Sequence, residues 1–240
     1  MFNNSKYGNF LTVILIVALI AIVVVIGIIG YKIYNAYYIE RGATQAVTQF
    51  EEMVNSNMQN NQNNIINNEQ VNNNQGKNEK VDISEGINGN VVTNNNSSST
   101  TNTQTTTKYK GFDVVGTIQI PAINLKYPIL EKLSTKSLET SVVLMYTAQG
   151  LNKEGNSVII GHNYRNGTMF SNVKKLSNGD YIYITDGTGK KIRYTVYSIY
   201  KASGSESSYM TRNTNGKREI SLSTCTDDSK ARTIVLAREG

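Results

Sequence analysis

The chain is poor in the residues that usually build polar or cross-linked sites, since its 240 residues contain one cysteine and one histidine. A single cysteine cannot form an intramolecular disulfide, and only one cysteine–histidine pair can be assembled. Cys225 closes a strand-like apolar run and His162 follows another, so each side chain is expected at a strand end. A thiol attacks well only as the thiolate, which a neighbouring imidazole or cation favours. Cys225 and His162 are therefore the candidate nucleophilic dyad; the alternative is a thiol that is simply a small buried apolar group.

Charge is absent from residues 10–30, which are almost entirely Ile, Val, Leu and Ala. About 20 such residues cross a bilayer core of about 30 Å, so the run predicts a single transmembrane helix. A signal peptide is the competing interpretation, but the run exceeds the roughly 7–15 apolar residues of such a peptide. Tyr31 and Tyr34 also stand where a cleavage site would need small residues, and they suit an interfacial anchor. Residues 31–53 form a juxtamembrane segment that can continue as a helix.

Proline and large apolar side chains are scarce in residues 54–107, which contain 18 asparagines and no proline. Such a composition cannot bury enough apolar surface to offset the entropy of ordering the chain. The segment is therefore predicted to be a disordered linker between the membrane helix and a folded domain.

Residues 108–240 carry the positive charge, with 19 Lys+Arg and 11 Asp+Glu, a balance of +8 against −2 for residues 1–107. The cations are scattered and form no block, so a nucleic-acid partner is not expected. Alternating apolar residues predict about seven strands and an all-β, closed or nearly closed barrel with short helices. One helix is expected at 168–176. The expected strands are 117–120, 123–127, 157–160, 181–185, 192–199, 220–224 and 233–237, the first two of which end at prolines.

The last two predicted strands flank a short polar stretch and are expected to form an antiparallel hairpin. In that hairpin Cys225 and Arg232 lie close together. A guanidinium beside the thiol favours the thiolate and can donate hydrogen bonds to a carbonyl oxygen that becomes negative. The alternative for Arg232 is a solvent-facing hairpin arginine. Arg238, further along the same strand, is a weaker candidate.

Four segments in order resemble motifs of the sortases, membrane-anchored cysteine transpeptidases of the surface of chiefly Gram-positive bacteria. Residues 222–225 read Leu-Ser-Thr-Cys, similar to the Leu-x-Thr-Cys signature, and Arg232 opens the next strand as the family arginine does. Residues 160–163 resemble the histidine motif, and residues 115–121 and 170–180 resemble the first strand and the stretch after the histidine. One motif alone is weak, whereas four in the correct order are specific.

The resemblance implies an eight-stranded sortase barrel, residues 108–240, outside the membrane, with residues 1–9 cytoplasmic and residues 10–30 crossing the cell membrane once. It implies cleavage of a sorting signal similar to Leu-Pro-x-Thr-Gly near the C-terminus of a secreted protein. Cys225 would form a thioacyl intermediate, His162 would act as acid and then base, and Arg232 would hold the carbonyl and its oxyanion. The acceptor would be an amine of a peptidoglycan precursor or a pilin. No metal or organic cofactor is implied.

The class within the family is left open between two interpretations. Leu-Ser-Thr-Cys is common in class B, whereas the short interval from His162 to Cys225, 63 positions, suits a class D-like enzyme better. Two other functions also stay open. A membrane-tethered extracellular cysteine endopeptidase would use the same dyad with water as acceptor, and a non-catalytic cell-surface binding module would bury its thiol.

Overall fold

A computed structural model describes residues 4–72 and 107–240. One long helix, α1 (Asn4–Asn72), precedes a β domain. The strands are β1 (Lys108–Tyr109), β2 (Phe112–Ile120), β3 (Leu125–Leu130), β4 (Val142–Thr147), β5 (Gly155–Ile160), β6 (Tyr181–Asp186), β7 (Lys191–Ser203), β8 (Arg218–Cys225) and β9 (Ala231–Glu239). Helix α2 (Thr135–Thr140) and two 3₁₀ helices, Pro121–Ile123 and Phe170–Lys175, connect them.

The strands form one sheet that closes on itself. Their order is β1-β2-β3-β4-β5-β8-β9-β7-β6, and β6 pairs again with β2 to close the barrel. Most neighbours are antiparallel, but β3 with β4 and β5 with β8 are parallel. Eight longer strands thus make the barrel, with the two-residue β1 added at its edge. The predicted all-β closed barrel with short helices is confirmed.

Two local predictions differ from the structure, and some elements had no prediction. Pro128 does not end β3, which continues to Leu130. The carbonyl of Pro128 accepts a hydrogen bond from Ser141 Oγ at 2.7 Å, so the backbone groups of Pro128 point toward β4 and not toward β2. Strand β4 begins only at Val142, which pairs with Ile129. The N–H that proline lacks is therefore not needed for a hydrogen bond between strands. The expected helix at 168–176 is a shorter 3₁₀ helix. Strand β4 and helix α2 were not predicted.

The barrel interior is filled by apolar side chains from every long strand. Ile118, Ile159, Ile184, Leu222 and Val235 are among its fully buried members. Alternate residues of each strand face inward, which is why the period-two pattern marked most of these strands in the sequence.

Helix α1 has two parts with different surroundings. Residues 10–30 are apolar and exposed along one continuous helix, the one helix of the described residues that is long and apolar enough to cross a membrane. Its second part packs on the barrel. The linker predicted from residue 54 does not begin there, because Val54 is buried and the helix continues to Asn72. The rest of the predicted linker, residues 73–106, lies outside the described residues.

The docked part of α1 presents one apolar face to the barrel. Ala43, Ala46, Val47, Phe50 and Val54 are buried and recur at three- and four-residue spacing, as on one side of a helix. Three of them pack with the outward side chains of the sheet in a cluster formed by Ala46, Phe50, Val54, Tyr109, Val114, Leu130 and Val143. This docked face was not predicted from the sequence. The apolar residues that form it end at Val54, where the Asn-rich tract begins.

Phe50 is the largest fully buried side chain on the docked face. Replacing Phe50 with Ala is expected to lower the free energy of unfolding by about 3–5 kcal/mol, because the cavity removes most contacts of a buried ring. Chemical denaturation of the full chain in detergent measures the change. Tyr37→Ala, on an exposed position of the same helix, is the control and should leave the midpoint nearly unchanged. An unchanged midpoint for Phe50→Ala would mean that the helix does not dock in solution.

Candidate functional site

The three predicted site residues lie together at one end of three neighbouring strands. The parallel register of β5 and β8 pairs Ile160 with Ser223, so His162 and Cys225 lie two residues beyond the same ladder position. The antiparallel register of β8 and β9 places Arg232 directly opposite Cys225. This end of the barrel, which carries His162, Cys225 and Arg232, is called the site end below.

The thiol and the guanidinium are close enough to interact. Arg232 directs Nη1 toward Cys225 Sγ at 3.8 Å. Leu222 points into the barrel core, so strand alternation puts Cys225 on the opposite, outer face. Both side chains are half-buried, and the thiol is free. A ligand on the outer face of β8 can therefore reach the sulfur and the guanidinium together.

The residue before the histidine must be a glycine. A Cβ at Gly161 would lie 2.9 Å from the ring of Phe170 and 2.9 Å from Val142, closer than carbon atoms tolerate. Its backbone also extends the parallel ladder: Gly161 N–H donates to the Ser223 carbonyl at 3.2 Å, and Thr224 Oγ1 donates to the Gly161 carbonyl at 2.8 Å. The histidine loop is thereby fixed to the cysteine strand up to its last residue.

The 3₁₀ helix Phe170–Lys175 supports the loop that carries His162. Phe170 N–H donates to the His162 carbonyl at 3.1 Å, and Met169 N–H donates to the Tyr127 hydroxyl at 3.0 Å. Burial raises the pKa of Tyr127 to about 12, so the hydroxyl stays neutral at ordinary pH. The His162 ring is half-buried and lies 4.9 Å from the exposed ring of Tyr164.

Asn163 connects the histidine loop to the loop after Cys225. Its Nδ2 donates to the Cys225 carbonyl and to Asp227 Oδ1, both at 2.9 Å. Lys174 forms an ion pair with the other oxygen of Asp227. The hydrogen bond from Lys174, and then that from Asn163, lowers the pKa of Asp227 below its usual range, so this carboxylate stays ionised.

A groove leads along the outer face of the sheet to Arg232. Its volume is about 340 Å³. The floor comes from β4, β5 and β8, one wall from α2 and the residues before it, and the other from the loop between β7 and β8. Its lining residues are Leu133, Leu138, Met145, Ile160, Gly204, Ser205, Glu206, Ser207, Tyr209, Met210, Ser223 and Arg232.

A polar network fixes the β7–β8 wall of this groove to the sheet. Arg212 donates through Nε and Nη2 to Glu219 Oε2 at 3.1 and 2.6 Å, and through Nη1 to the Tyr209 carbonyl at 2.9 Å. Asn156 Nδ2 donates to the carbonyls of Tyr209 and Met210 at 3.0 and 2.9 Å. The Arg212 and Glu219 side chains are only 17% and 11% exposed, so solvent screens their ion pair little.

The three residues predicted from the sequence lie together in the structure, but the polar residues that surround them were not predicted. Asn163, Arg212 and Asn156 are ordinary polar residues, and only the position of Asn163 directly after His162 could have drawn attention. Arg238 does not join the site, since it lies at the other end of β9 with its guanidinium 5.4 Å from the centre of the Tyr197 ring. Within the described residues, no three His, Cys, Asp or Glu side chains gather into a group that could hold a metal ion.

Known proteins with similar sequences are sortases. Sortase A of Bacillus anthracis is 31% identical over 121 residues, covering 49% of this chain and 56% of the relative. Sortase A of Streptococcus agalactiae serotype III (strain NEM316) is 28% identical over 138 residues, covering 55% of each chain. The matched segment thus spans about half the length of these curated relatives.

Solved sortase structures are also similar. A sortase D5 transpeptidase of Clostridium perfringens is 29% identical, with a TM-score of 0.49, over 53% of this chain and 79% of that one. Sortase A of Corynebacterium diphtheriae is likewise 29% identical, with a TM-score of 0.49, over 54% of this chain and 61% of that one. The sortase-domain family model matches residues 118–239, which include the end of β2, β3 to β9 and all three central site residues. On that match, as the four sequence motifs predicted, this chain belongs to the sortase family.

Proposed function

We propose that this protein is a cysteine transpeptidase that cleaves a sorting signal and transfers the attached protein to an amine. The observation that carries the proposal is the alignment of His162, Cys225 and Arg232 at one end of β5, β8 and β9. A thiol, an imidazole and a guanidinium at one mouth are the groups that acyl transfer through a thioester needs.

In this proposal Cys225 and Arg232 perform the first half of the reaction. The Cys225 thiolate attacks the carbonyl carbon of the scissile peptide, forming an S–C bond and a tetrahedral oxyanion. Arg232 Nη1, already 3.8 Å from the sulfur, donates a hydrogen bond to that oxyanion.

His162 performs the proton transfers. It gives a proton to the departing amine as the C–N bond breaks, which leaves a thioacyl enzyme. It then takes a proton from the incoming amine, whose nitrogen attacks the thioester and releases the Cys225 thiolate. The hydrogen bonds to its backbone carbonyl and to the preceding glycine hold the imidazole at this mouth through both steps.

The groove that ends at Arg232 is proposed to bind the sorting signal, a sequence similar to Leu-Pro-x-Thr-Gly. Leu133, Leu138 and Met145 offer an apolar surface for its aliphatic residues, and the scissile carbonyl would then lie between Arg232 and Cys225. The acceptor would be an amine of a peptidoglycan precursor or a pilin.

Residues 10–30 are proposed to cross the cell membrane once, with residues 1–9 in the cytoplasm and the barrel outside. The exposed apolar helix is long enough for this role, and Tyr31, Tyr34 and Tyr38 just beyond it suit the interfacial region. A free thiol is unusual outside the cell, where cysteines are usually oxidised to disulfides. The proposed use of Cys225 as a nucleophile accounts for it.

We expect a peptide carrying a sorting signal to be joined to an added amine by the wild-type protein. With a fluorescent donor peptide and triglycine as acceptor, mass spectrometry should detect the ligated product, because the thioester partitions to the better nucleophile. Cys225→Ala should give no product, and Thr195→Ala, opposite Arg238 at the other end of the barrel, is the control. A hydrolysed product with and without amine would favour the endopeptidase, and no cleavage of a panel of signals would favour the binding module.

Arg232→Lys should reduce kcat for the same peptide by about 10²-fold or more. The substitution keeps the positive charge but loses the planar set of donors that reaches the oxyanion, and one such donor contributes roughly 10²–10³-fold. The measurement is steady-state kinetics, and Arg238→Lys at the other end of β9 is the control. Near wild-type turnover for Arg232→Lys would remove the assigned role.

Arg212→Ala should raise KM more than it lowers kcat. Without Arg212 the β7–β8 wall loses its attachment to Glu219, and the substrate must order that wall on binding. A cost of about 1.4 kcal/mol corresponds to a roughly tenfold increase in KM. Arg218→Ala, which removes an ion pair with Glu239 away from the groove, is the matched control. An equal fall in kcat for both variants, without a change in KM, would contradict a positioning role.

A further inference from the structure

We propose that α1 holds the barrel above the bilayer with its site end facing the lipid surface. This inference rests on the proposed membrane anchoring of residues 10–30. It assigns to the helix the role of a rigid arm that sets both the height and the direction of the active site.

The two ends of the barrel are well defined by the connections between strands. Asn152, between β4 and β5, donates through Nδ2 to the carbonyls of Ile184 and Lys190 at 3.0 and 2.7 Å, so the β4–β5 and β6–β7 loops lie at the same end. Strand β5 begins there and ends at Ile160, just before His162. The β4–β5 and β6–β7 loops therefore mark the far end, opposite the site end.

The connection between β2 and β3 lies at the site end. Strand β2 starts near the far end, where a Cβ at Gly116 would meet Leu151 and Asp186, and it runs away from them to Ile120. The 3₁₀ helix Pro121–Ile123 follows, and it contacts the 3₁₀ helix Phe170–Lys175 beneath the histidine loop.

Helix α1 passes the site end first and the far end last. Glu40 and Thr44 share a cavity of about 240 Å³ with Pro121, Asn124 and neighbouring residues of the β2–β3 connection. Farther along the helix, Val54 and Met58 lie against Gly189 in the β6–β7 turn, within 2.7 Å of where a Cβ would stand. The chain coming from the membrane therefore reaches the site end before it reaches the far end.

Helix α1 is continuous between the membrane-spanning segment and the part that packs on the barrel. Residues 30 to 54 are helical throughout and contain no proline. At about 1.5 Å per residue, Glu40 stands roughly 15 Å and Val54 roughly 36 Å beyond Gly30 along the helix axis. Measured along the helix axis, the site end is thus about 20 Å closer to the membrane-spanning segment than the far end.

This orientation has a consequence for the substrates. A peptide or an amine that is itself held in the same bilayer meets the mouth formed by Cys225 and Arg232 from the membrane side, at a height that the helix sets. A substrate free in solution gains nothing from that arrangement. The geometry therefore favours partners anchored in the membrane on which the enzyme stands.

Energy transfer to the bilayer surface tests the orientation. In the full chain carrying Cys225→Ala, Lys230→Cys labels the site end and Lys153→Cys labels the far end, both on exposed loops. With a donor dye at either position, in nanodiscs whose lipid headgroups carry an acceptor dye, transfer should be clearly more efficient from position 230. Equal transfer, stronger transfer from position 153, or failure of the chain to insert into the nanodisc would overturn the proposal.

The role of the helix as a rigid arm is tested by insertions after Lys32. Seven alanines add about two helical turns and about 10 Å. The efficiency of energy transfer should then fall at both positions, while position 230 should still give more efficient transfer than position 153. Seven glycines in the same place should abolish the difference, since glycine does not sustain a helix. A difference that survives the glycines would overturn the rigid arm. If the wild-type protein did not join the peptide to an amine but the energy-transfer results were as expected, the proposed function would be refuted and the proposed orientation would stand.

Discussion

The parallel pairing of β5 with β8 is the constraint on which the site depends. Parallel strands end at the same edge, so a residue two positions past each ladder emerges at the same place. The antiparallel turn after β8 then brings Arg232 back to the level of Cys225. Because β5 and β8 are separated by many residues along the chain, the positions of His162 and Cys225 come together only when these two strands pair. The placement of the candidate site is therefore a property of the sheet and of no single loop.

Scarcity and strand pattern made Cys225 and His162 candidates in the sequence. With one cysteine and one histidine there was no choice to make between alternatives, and both ended clear strand patterns. Arg232 followed from the hairpin, since a short polar loop between two alternating strands has few possible registers. The alternating pattern favoured a β-barrel, and the four motifs in order then made the prediction specific to a sortase-type barrel.

What could not be read from the sequence depended on tertiary contacts. Strand β4 includes exposed and half-buried apolar residues such as Met145, so it shows no alternation. The Arg212 network is made of ordinary polar residues, and its attachment to Asn156 joins the β7–β8 loop to a strand more than 50 residues earlier in the chain. The continuation of α1 past residue 54 was not predicted for the same reason, since Val54 and Met58 lie against Gly189 of the distant β6–β7 turn.

The supports of the site divide into two kinds that act on different parts of it. Asn163, bridging the Cys225 carbonyl and Asp227, sets the distance between the histidine loop and the cysteine strand through backbone contacts. These groups are partly exposed, so each hydrogen bond contributes little energy and their value is geometric.

Arg212 and Asn156 instead hold the groove wall through well-buried polar groups, where a missing partner is costly. Under the proposed function, changes in the wall network should alter substrate binding, and changes at Asn163 should alter the alignment of the reacting atoms. One barrel can thus vary its groove by changing the β7–β8 loop, while the strand register keeps the thiol, imidazole and guanidinium in place.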